Sequence, residues 1–364
     1  MKICVIGGHL GPALAVIEEL QKKADIVFIG RKHTFEGDKA ESLEYKTITS
    51  LNIPFISVTT GRLQRKFTKR TIPSLLKLPY GTAQAILVLK KQKPDIILGF
   101  GGYLSIPYCF AAKLLSIPVV IHEQTFEAGA ANRICSRFAA KICLSWKSSL
   151  PFFPKDKCIV TGNPLRSAIL NPKNTLKLPF KRKLPILLIT GGSAGSHIIN
   201  HLILESLNVL LKSYNIIHQT GDAKEFNDYQ KLFEASQNLS EDLKNSYHLV
   251  KFINPDEIGS YYLVADMVIC RSGINTISEL LYFGKKAILI PLWFAQKQEQ
   301  TKNAHFLSSF LNVIIIDQKN ATSKILIDSL KELKSKQPAN NDASRQLELN
   351  AAKSISEVVY SLVN

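Results

Sequence analysis

The residues from Cys270 to Glu279 combine a short turn with a carboxylate, a pattern that can hold a nucleotide. Residues 268–270 are predicted to end a buried strand, residues 271–273 to form a turn, and residues 274–283 to form a helix that Gly284 caps. Amides at the start of that helix would face a diphosphate, and Glu279 could accept hydrogen bonds from two ribose hydroxyls. An ordinary strand-turn-helix with a solvated Glu279 is the alternative.

Glycines also follow the opening strand of each half of the chain, at residues 7–12 and 191–196. Such loops let the backbone approach a phosphate or sugar closely, although they also serve as turns without a ligand. The second loop matches G-x-S-x-G around Ser193, so a serine hydrolase with Asp266 and His305 is a rival interpretation. That rival leaves the first half unexplained and lacks an oxyanion motif of the HGGG kind.

Two histidines follow strands of the first half, His9 after the first strand and His122 within the segment His-Glu-Gln. Because the carboxyl ends of parallel strands meet at one edge of a sheet, we expect these side chains to lie near each other. His9 is therefore a candidate general base, with a helix-entry residue as the alternative.

Short apolar strands alternate with helical stretches along the whole chain, which predicts parallel sheets covered by helices. This periodicity fails between residues 162 and 185, where the chain is polar, proline-rich and basic. We predict an α/β fold with a first domain over residues 1–163, a linker over 164–185, a second domain over 186–340, and a segment over 341–364 whose helix returns to the first domain.

The formal net charge of +17 is concentrated in the first half, where residues 1–162 hold 23 Lys and Arg against 11 Asp and Glu. Residues 59–93 contain nine basic residues, interleaved with apolar ones, and no acidic residue. This pattern suits an anionic bilayer surface, and a solvated basic face is the alternative. No recognised nucleic-acid module accompanies the charge, so nucleic acid is not the expected partner. The candidate membrane residues are Arg62, Arg65, Lys66, Phe67, Lys69, Arg70, Leu75 and Leu76.

Six scattered cysteines without a C-x-x-C pair predict buried free thiols in a reducing compartment. The amino-terminal apolar run is too short for a signal peptide, and no uncharged apolar run of about 18 residues occurs, so neither export nor a membrane span is expected. There is no D-x-D motif and no Cys/His cluster with metal spacing, so we predict no built-in metal.

Eight short motifs occur in an order that resembles one enzyme family, the peptidoglycan N-acetylglucosaminyltransferases of the MurG type. The resemblance covers the whole chain and implies a GT-B fold, with two Rossmann-like domains facing a cleft. The motifs are Gly7-Gly8-His9 with Pro12, Gly99 to Tyr103, His122-Glu123-Gln124 with Gly129 and Asn132, Gly162 to Arg166, Gly191-Gly192-Ser193 with Gly195, His218 to Gly221, Cys270 to Gly273 with Glu279, and Gln300 with Asn303-Ala304.

The resemblance implies inverting transfer of N-acetylglucosamine from UDP-N-acetylglucosamine to lipid-linked muramoyl-pentapeptide in peptidoglycan synthesis. It implies no cofactor, a polyprenyl-diphosphate acceptor, and a peripheral location on the anionic cytoplasmic leaflet of the cell membrane. His9 would be the base, with Glu123 the second candidate. The implied donor-binding residues are Arg166, Ser193, Ile253, Ile274, Asn275, Thr276, Ile277, Ser278, Glu279 and Gln300. The implied acceptor-binding residues are Gly8, His9, Tyr103, His122, Thr125 and Asn132.

Three positions depart from the family pattern. The family's first loop reads GGTGGH, whereas this chain runs from Ile6 directly into Gly7-Gly8-His9 and lacks the phosphate-facing threonine. Thr125 stands where asparagine is usual, and Glu299 precedes Gln300 where His or Gln is more common. A related GT-B transferase with another lipid acceptor is therefore a second hypothesis, and a basic scaffold without catalysis is a third.

Overall fold

The computed structural model describes residues 1–33, 41–58, 71–173, 176–192, 194–223, 225–293, 298–337 and 347–363, without the side chains of residues 71–78. The chain forms two compact units. Unit 1 comprises residues 1–166 together with residues 348–364, and unit 2 comprises residues 167–347. Each unit contains one sheet of parallel strands with helices between successive strands.

Unit 1 has a seven-stranded sheet with the order β3-β2-β1-β4-β5-β6-β7. Its strands are β1 (Lys2–Ile6), β2 (Asp25–Gly30), β3 (Phe55–Ser57), β4 (Ile96–Gly99), β5 (Val119–Glu123), β6 (Lys141–Leu144) and β7 (Cys158–Val160). Its helices are α1 (Leu10–Leu20), α2 (Leu43–Ser50), α3 (Thr71–Gln92), α4 (Ser105–Leu114) and α5 (Ala130–Cys135), and the carboxyl-terminal α14 (Ala351–Tyr360) joins them.

Unit 2 has a six-stranded sheet with the order β10-β9-β8-β11-β12-β13. Its strands are β8 (Ile186–Thr190), β9 (Asn215–Gln219), β10 (Tyr247–Val250), β11 (Met267–Cys270), β12 (Lys286–Leu289) and β13 (Val313–Ile315). Its helices are α6 (Ser167–Leu170), α7 (His197–Leu210), α8 (Asp228–Gln237), α9 (Glu241–Lys244), α10 (Ile258–Val264), α11 (Ile274–Phe283), α12 (Glu299–Ser308) and α13 (Ser323–Ser335).

Helices cover both faces of each sheet, which explains why the strands are nearly continuous apolar runs. In β1, Ile3 and Val5 pack in one core cluster while Cys4 and Ile6 pack in another, because successive side chains point to opposite faces. All four are fully buried. The predicted α/β fold with two doubly wound units is therefore confirmed.

The segment predicted as a linker, residues 164–185, is divided between the units at Arg166. Its α6 packs against unit 2, where the hydroxyl of Tyr282 donates a 2.8 Å hydrogen bond to the carbonyl of Leu170. At the other end of the chain, α14 packs against α1, with Ile355 and Val359 in the same core cluster as Ile17. Most of the predicted linker is thus part of a folded unit.

None of the described helices is long and apolar enough to cross a membrane. All six cysteines are free, and five are buried while Cys158 is partly exposed. Burial raises the pKa of the Cys143 thiol to about 12, so this thiol stays protonated.

Candidate active site

Three neighbouring strands of unit 1 end in the segments that the sequence singles out. Residues 7–9 follow β1, residues 100–102 follow β4, and residues 122–125 lie at the end of β5. We call these segments together the first-sheet edge. The predicted meeting of His9 with the His122 segment occurs here, since Nε2 of Gln124 lies 2.8 Å from Nδ1 of His9.

The loops of the first-sheet edge approach each other backbone to backbone. A methyl carbon added to Gly8 would lie 2.4 Å from the carbonyl oxygen of Gly101 and 2.6 Å from that of Phe100. The amide of His9 donates to the carbonyl of Phe100 at 3.1 Å, which fixes the entry into α1. Gly8, predicted to contact the acceptor, is therefore required by packing between loops, whatever it binds.

The ring of His9 is half-buried, and desolvation lowers its pKa to about 4. At neutral pH the ring is consequently uncharged, as a proton acceptor must be. No described residue other than Gln124 makes a hydrogen bond to this ring. His9 thus combines partial exposure with a neutral imidazole at the carboxyl end of a strand.

Glu123, the second candidate base, is almost fully buried, and its carboxylate is saturated with donors. Oε1 accepts from the amide of Thr125 at 3.0 Å and lies 2.7 Å from its hydroxyl, whose single proton is shared with the carbonyl of Glu127. Oε2 accepts from the amide of Gly129 at 2.8 Å and from Nδ2 of Asn132 at 3.0 Å. These hydrogen bonds suit a carboxylate that holds the β5–α5 connection better than one that accepts a substrate proton.

His122 and Asn132, both predicted to bind the acceptor, are also buried parts of this framework. Nε2 of His122 lies 3.0 Å from the hydroxyl of Ser145, and desolvation lowers the pKa of His122 to about 3. Nδ2 of Asn132 donates to the carbonyl of His122 at 2.9 Å. Their side chains position the edge and do not present polar atoms on its surface.

A second carboxyl group, which the sequence reasoning missed, lies beside the Gly7-Gly8 turn. Oε1 of Glu44 would be 2.1 Å from a methyl carbon added to Gly7, and Oε2 would be 2.5 Å from one added to Gly30. The carboxyl group therefore occupies the space that these glycines leave, and it accepts the amides of Arg31 and Gly8. Burial, partly offset by those amides and by the charge of Arg31, raises the pKa of Glu44 to about 7.

Tyr103 is half-buried next to the same loops. The guanidinium of Arg31 lies over its ring, 5.2 Å from the centroid. This pairing places a cation at the first-sheet edge, which no motif in the sequence had indicated. Arg31 is a second missed candidate for contact with an anionic substrate.

In unit 2 the corresponding loops follow β8, β9, β11 and β12, and we call them the second-sheet edge. The α11 helix begins at Ile274 after Gly273 and ends at Gly284, which adopts φ +63°, as the sequence predicted. Its first intrahelical bond runs from the amide of Ile277 to the carbonyl of Gly273. Helix geometry leaves the amides of residues 274–276 without intrahelical acceptors, available to an anion.

Only part of the predicted donor-binding run can offer side chains to a ligand. Ile274, Ile277 and Ser278 are buried, and the hydroxyl of Ser278 donates to the carbonyl of Ile274 at 3.0 Å. Asn275, Thr276 and Glu279 are partly exposed. Glu279 is held by a hydrogen bond with the buried phenol of Tyr262, whose pKa burial raises well above its usual range.

The buried side chain of Gln219 ties two loops of the second-sheet edge together. Gln219 donates from Nε2 to the carbonyl of Gly192 at 2.9 Å, and its Oε1 accepts the amide of Ile253 at 3.3 Å. Ile253, predicted to hold the donor, is itself buried. Gln219 belongs to the motif at residues 218–221. The motif indicated that this segment is functional, but its spacing did not show that the side chain of Gln219 links two loops.

Gln300, also predicted to bind the donor, lies at the start of α12, which follows the loop after β12. Its Oε1 accepts the amide of Leu292 at 3.0 Å, and its carbonyl accepts the hydroxyl of Ser272 at 2.7 Å. Nδ2 of Asn303 donates a hydrogen bond to the carbonyl of Ser272 at 2.9 Å. With Oε1 held by Leu292, the side-chain nitrogen is the donor end of the Gln300 carboxamide.

Ser193 lies outside the described residues, but its proposed hydrolase partners do not. Asp266 precedes β11 and accepts the amide of Ile186 at 2.7 Å, at the amino-terminal edge of the sheet. The described residues Gly191 and Gly192 follow the opposite, carboxyl end of β8, so Asp266 and this glycine loop lie at opposite edges of the sheet. This placement of Asp266 does not favour the serine hydrolase hypothesis.

The remaining predicted site residues are Arg166 and the membrane segment. Arg166 is partly exposed at the end of unit 1. The predicted membrane residues at positions 62–70 lie outside the described residues, and Leu75 and Leu76 lie in α3 where side chains are not described. Among the described residues, no group of three or more His, Cys, Asp or Glu side chains could hold a metal ion.

Comparison with known proteins identifies the family. Residues 6–144 match the glycosyltransferase family 28 N-terminal domain, and residues 186–359 match its C-terminal domain. A Clostridium perfringens (strain SM101) protein is 34% identical over 333 residues, covering 90% of this chain and 87% of the relative. It is named UDP-N-acetylglucosamine--N-acetylmuramyl-(pentapeptide) pyrophosphoryl-undecaprenol N-acetylglucosamine transferase.

A protein of the same name from Clostridium botulinum (strain Hall) is 32% identical over 360 residues, covering 97% of this chain and 95% of the relative. The crystal structure of MurG from Acinetobacter baumannii superposes with a TM-score of 0.70 at 26% identity, covering 99% of both chains. Both domain matches and both relatives therefore agree with the resemblance that the motifs carry. The chain belongs to glycosyltransferase family 28.

Proposed function

We propose that this protein transfers N-acetylglucosamine from UDP-N-acetylglucosamine to the lipid-linked N-acetylmuramyl-pentapeptide of peptidoglycan synthesis. The observation that carries the proposal is similarity over nine tenths of the chain to transferases named for this reaction. The alternative hypothesis, transfer to a different polyprenyl-diphosphate acceptor, is tested by the same assay.

The second-sheet edge suits the donor. Amides at the start of α11 favour a diphosphate, and Glu279 suits the ribose diol because Tyr262 holds its carboxylate. The nitrogen of Gln300 suits a sugar hydroxyl, and Arg166 is a candidate partner for the leaving diphosphate. These assignments agree with the polar groups that each side chain presents.

The first-sheet edge suits acceptor activation. A neutral His9 takes the proton of the attacking hydroxyl, the hydroxyl oxygen bonds to the sugar carbon C1, and the bond from C1 to the diphosphate oxygen breaks as UDP leaves. Glu123 supports this step indirectly, by holding the loop that carries Gln124. We assign His9 as the catalytic base and Glu123 as a positioning residue.

Membrane docking is the finer part of the proposal. Helices α3 and α4 expose Tyr80 (65%), Leu87 (69%), Phe110 (43%) and Leu114 (58%). Exposed lysines flank these apolar side chains at positions 90, 91 and 113. Apolar side chains ringed by cations match an anionic bilayer surface, to which a polyprenyl acceptor is confined.

Two experiments test the proposal. Purified protein is incubated with radiolabelled UDP-N-acetylglucosamine and a short-chain lipid I analogue, and transfer of label to the lipid is expected. Failure of transfer to this and to other polyprenyl-diphosphate acceptors would refute the activity.

For docking, co-sedimentation with vesicles of anionic phospholipid is expected to fall at least about tenfold in a Leu87→Glu, Leu114→Glu double variant. The matched control, Val209→Glu, changes a half-exposed apolar residue of unit 2 and should sediment as the unmodified protein does. Equal sedimentation of the double variant would contradict docking through α3 and α4.

A further inference from the structure

The carboxamide of Gln124 is a polar group of the first-sheet edge to which the proposed function assigns no role. Gln124 is only 6% exposed, and its carbonyl accepts the indole N–H of Trp146 at 3.0 Å, which anchors its backbone. Its Nε2 lies 2.8 Å from Nδ1 of His9. Its Oε1 is buried and has no hydrogen-bond partner among the described residues.

The chemistry of this contact decides what His9 can do. A carboxamide nitrogen only donates, so Nδ1 must accept, and the neutral His9 ring carries its proton on Nε2. In that tautomer the outer ring nitrogen is a hydrogen-bond donor and cannot take a proton. This arrangement is therefore a resting one for a general base.

A half-turn of the carboxamide about its last carbon–carbon bond exchanges its two ends. Oε1 would then face Nδ1 and accept its N–H, which leaves a lone pair on Nε2. Oε1 then makes the hydrogen bond that Nε2 gives up, so one bond joins the two side chains in either orientation, and the backbone anchored by Trp146 need not move. One side-chain torsion and one exchange of the ring proton with solvent thus separate the two tautomers of His9.

We propose that Gln124 is a positioning residue that sets the tautomer of His9, and that rotation of its carboxamide, coupled to release of the Nε2 proton to solvent and uptake of a proton from solvent at Nδ1, converts this ring from a donor into a base. In the reactive tautomer, Nε2 takes the proton of the acceptor hydroxyl while the Nδ1 proton stays bonded to Oε1 of Gln124. The resulting imidazolium has both nitrogens protonated. The kinetic consequences rest on the proposed transferase function, whereas the tautomer itself does not.

Two substitutions separate the possibilities. In Gln124→Glu the carboxylate only accepts, so Nδ1 is held protonated and Nε2 stays free. We expect kcat within a few-fold of the unmodified protein, and an acidic limb of the pH–rate profile displaced upward by about one unit or more, since the carboxylate stabilises the imidazolium.

In Gln124→Met the side chain keeps a similar volume but cannot hydrogen-bond Nδ1. Here kcat should fall by at least about tenfold while KM for both substrates changes little, because only proton transfer is affected. The exposed Gln237→Met is the matched control and should leave both constants unchanged.

Nitrogen-15 NMR of histidine-labelled protein reads the tautomer directly, with the His9 signals assigned by their loss in His9→Asn. We expect the proton on Nε2 in the unmodified resting protein and on Nδ1 in Gln124→Glu. An identical tautomer in both proteins, or an unchanged kcat in folded Gln124→Met, would overturn the inference. If the unmodified protein transfers no sugar but the tautomer moves as expected, the proposed function fails and the role of Gln124 stands.

Discussion

The two sheet edges share an architecture but present different kinds of polar group. The first-sheet edge gathers the buried or half-buried titratable groups His9, His122 and Glu123 at strand ends and in loops that touch backbone to backbone, and the carboxyl group of Glu44 reaches it from α2. The second-sheet edge offers amides of a helix start and carboxamides that link loops. Its glycine loop is also closely packed, since a methyl carbon added to Gly195 would lie 2.0 Å from the carbonyl oxygen of Thr220, but no described atom lies within 4 Å of one added to Gly273 at the start of α11.

This difference suggests a division of labour. Proton transfer needs a titratable group whose charge is controlled by its surroundings, and close packing supplies that control through desolvation. Holding an anion needs oriented dipoles and room for the ligand. The same fold can therefore carry both tasks, one in each unit, when the loop that holds the titratable group is closely packed and the helix start that holds the anion is open.

Replacement of His9 is the strongest test of this division. In His9→Ala, kcat should fall by about 10²- to 10⁴-fold, because this removes the assigned base, and the imidazole of His122 and the carboxylate of Glu123 are buried and hydrogen-bonded within the protein. Binding of UDP-N-acetylglucosamine, measured by calorimetry, should be unchanged. The exposed His305→Ala serves as control, and a loss of donor affinity in His9→Ala without loss of kcat would contradict the division.

The second-sheet edge is tested through Glu279. Glu279→Ala should weaken UDP-N-acetylglucosamine binding by about 10- to 100-fold, since a hydrogen bond to a charged acceptor contributes about 1.5–3 kcal/mol. In calorimetry the unmodified protein should discriminate UDP from 2′-deoxy-UDP, and Glu279→Ala should not. Equal discrimination in both proteins would remove Glu279 from the ribose site, while the exposed Glu257→Ala should behave as the unmodified protein.

The difference in packing between the Gly8 loop and the start of α11 at Gly273 is tested by substituting these two glycines. Gly8→Ala places a methyl carbon 2.4 Å from a backbone oxygen and should lower the free energy of unfolding by about 1–3 kcal/mol. Gly273→Ala adds the same methyl group where no described atom lies within 4 Å, and its φ of −65° suits alanine. This substitution should leave the free energy of unfolding nearly unchanged. Denaturant unfolding monitored in each variant gives both values, and equal losses would contradict the contrast between the closely packed Gly8 loop and the open start of α11.

The sequence predicted the fold well because buried parallel strands have an unmistakable apolar pattern, and α11 with its Gly284 cap was predicted to the residue. It also brought His9 and the segment at residues 122–124 to one edge. What it could not supply was which polar side chains face inward. Glu123 follows His122 in a motif that suggests chemistry, yet the amides of Thr125 and Gly129 and the side chain of Asn132 hold its carboxylate.

Glu44 is a residue at the first-sheet edge that the sequence did not indicate. It lies in an ordinary amphipathic helix, and nothing in its neighbours signals that its carboxyl group fills the space beside Gly7 and Gly30. That contact depends on how α2 returns across the sheet. The effect of Glu44 on the pH dependence of stability is the smallest of the expected effects. It is also the most direct measure of desolvation at the first-sheet edge.

The pKa of Glu44 rises from 4.5 to about 7, so the folded protein keeps this proton to a higher pH than the unfolded chain does. Its contribution to stability is therefore present below pH 4.5 and is lost as pH rises toward 7. Allowing for partial exposure, Glu44→Gln should gain about 1–2 kcal/mol over the unmodified protein between about pH 5 and pH 8, because glutamine cannot ionise.

Denaturant unfolding across that range measures this gain. The buried His122 and His218, whose pKa values are lowered to about 3, make an opposite contribution below pH 6.5, but it is common to both proteins and cancels in the difference. The matched variant Glu41→Gln changes an exposed carboxylate that lies 3.6 Å from Lys32, and it should follow the unmodified protein. Parallel stability curves for Glu44→Gln and the unmodified protein would show that the first-sheet edge does not desolvate Glu44, and the contrast between the two edges would then rest on the histidines alone.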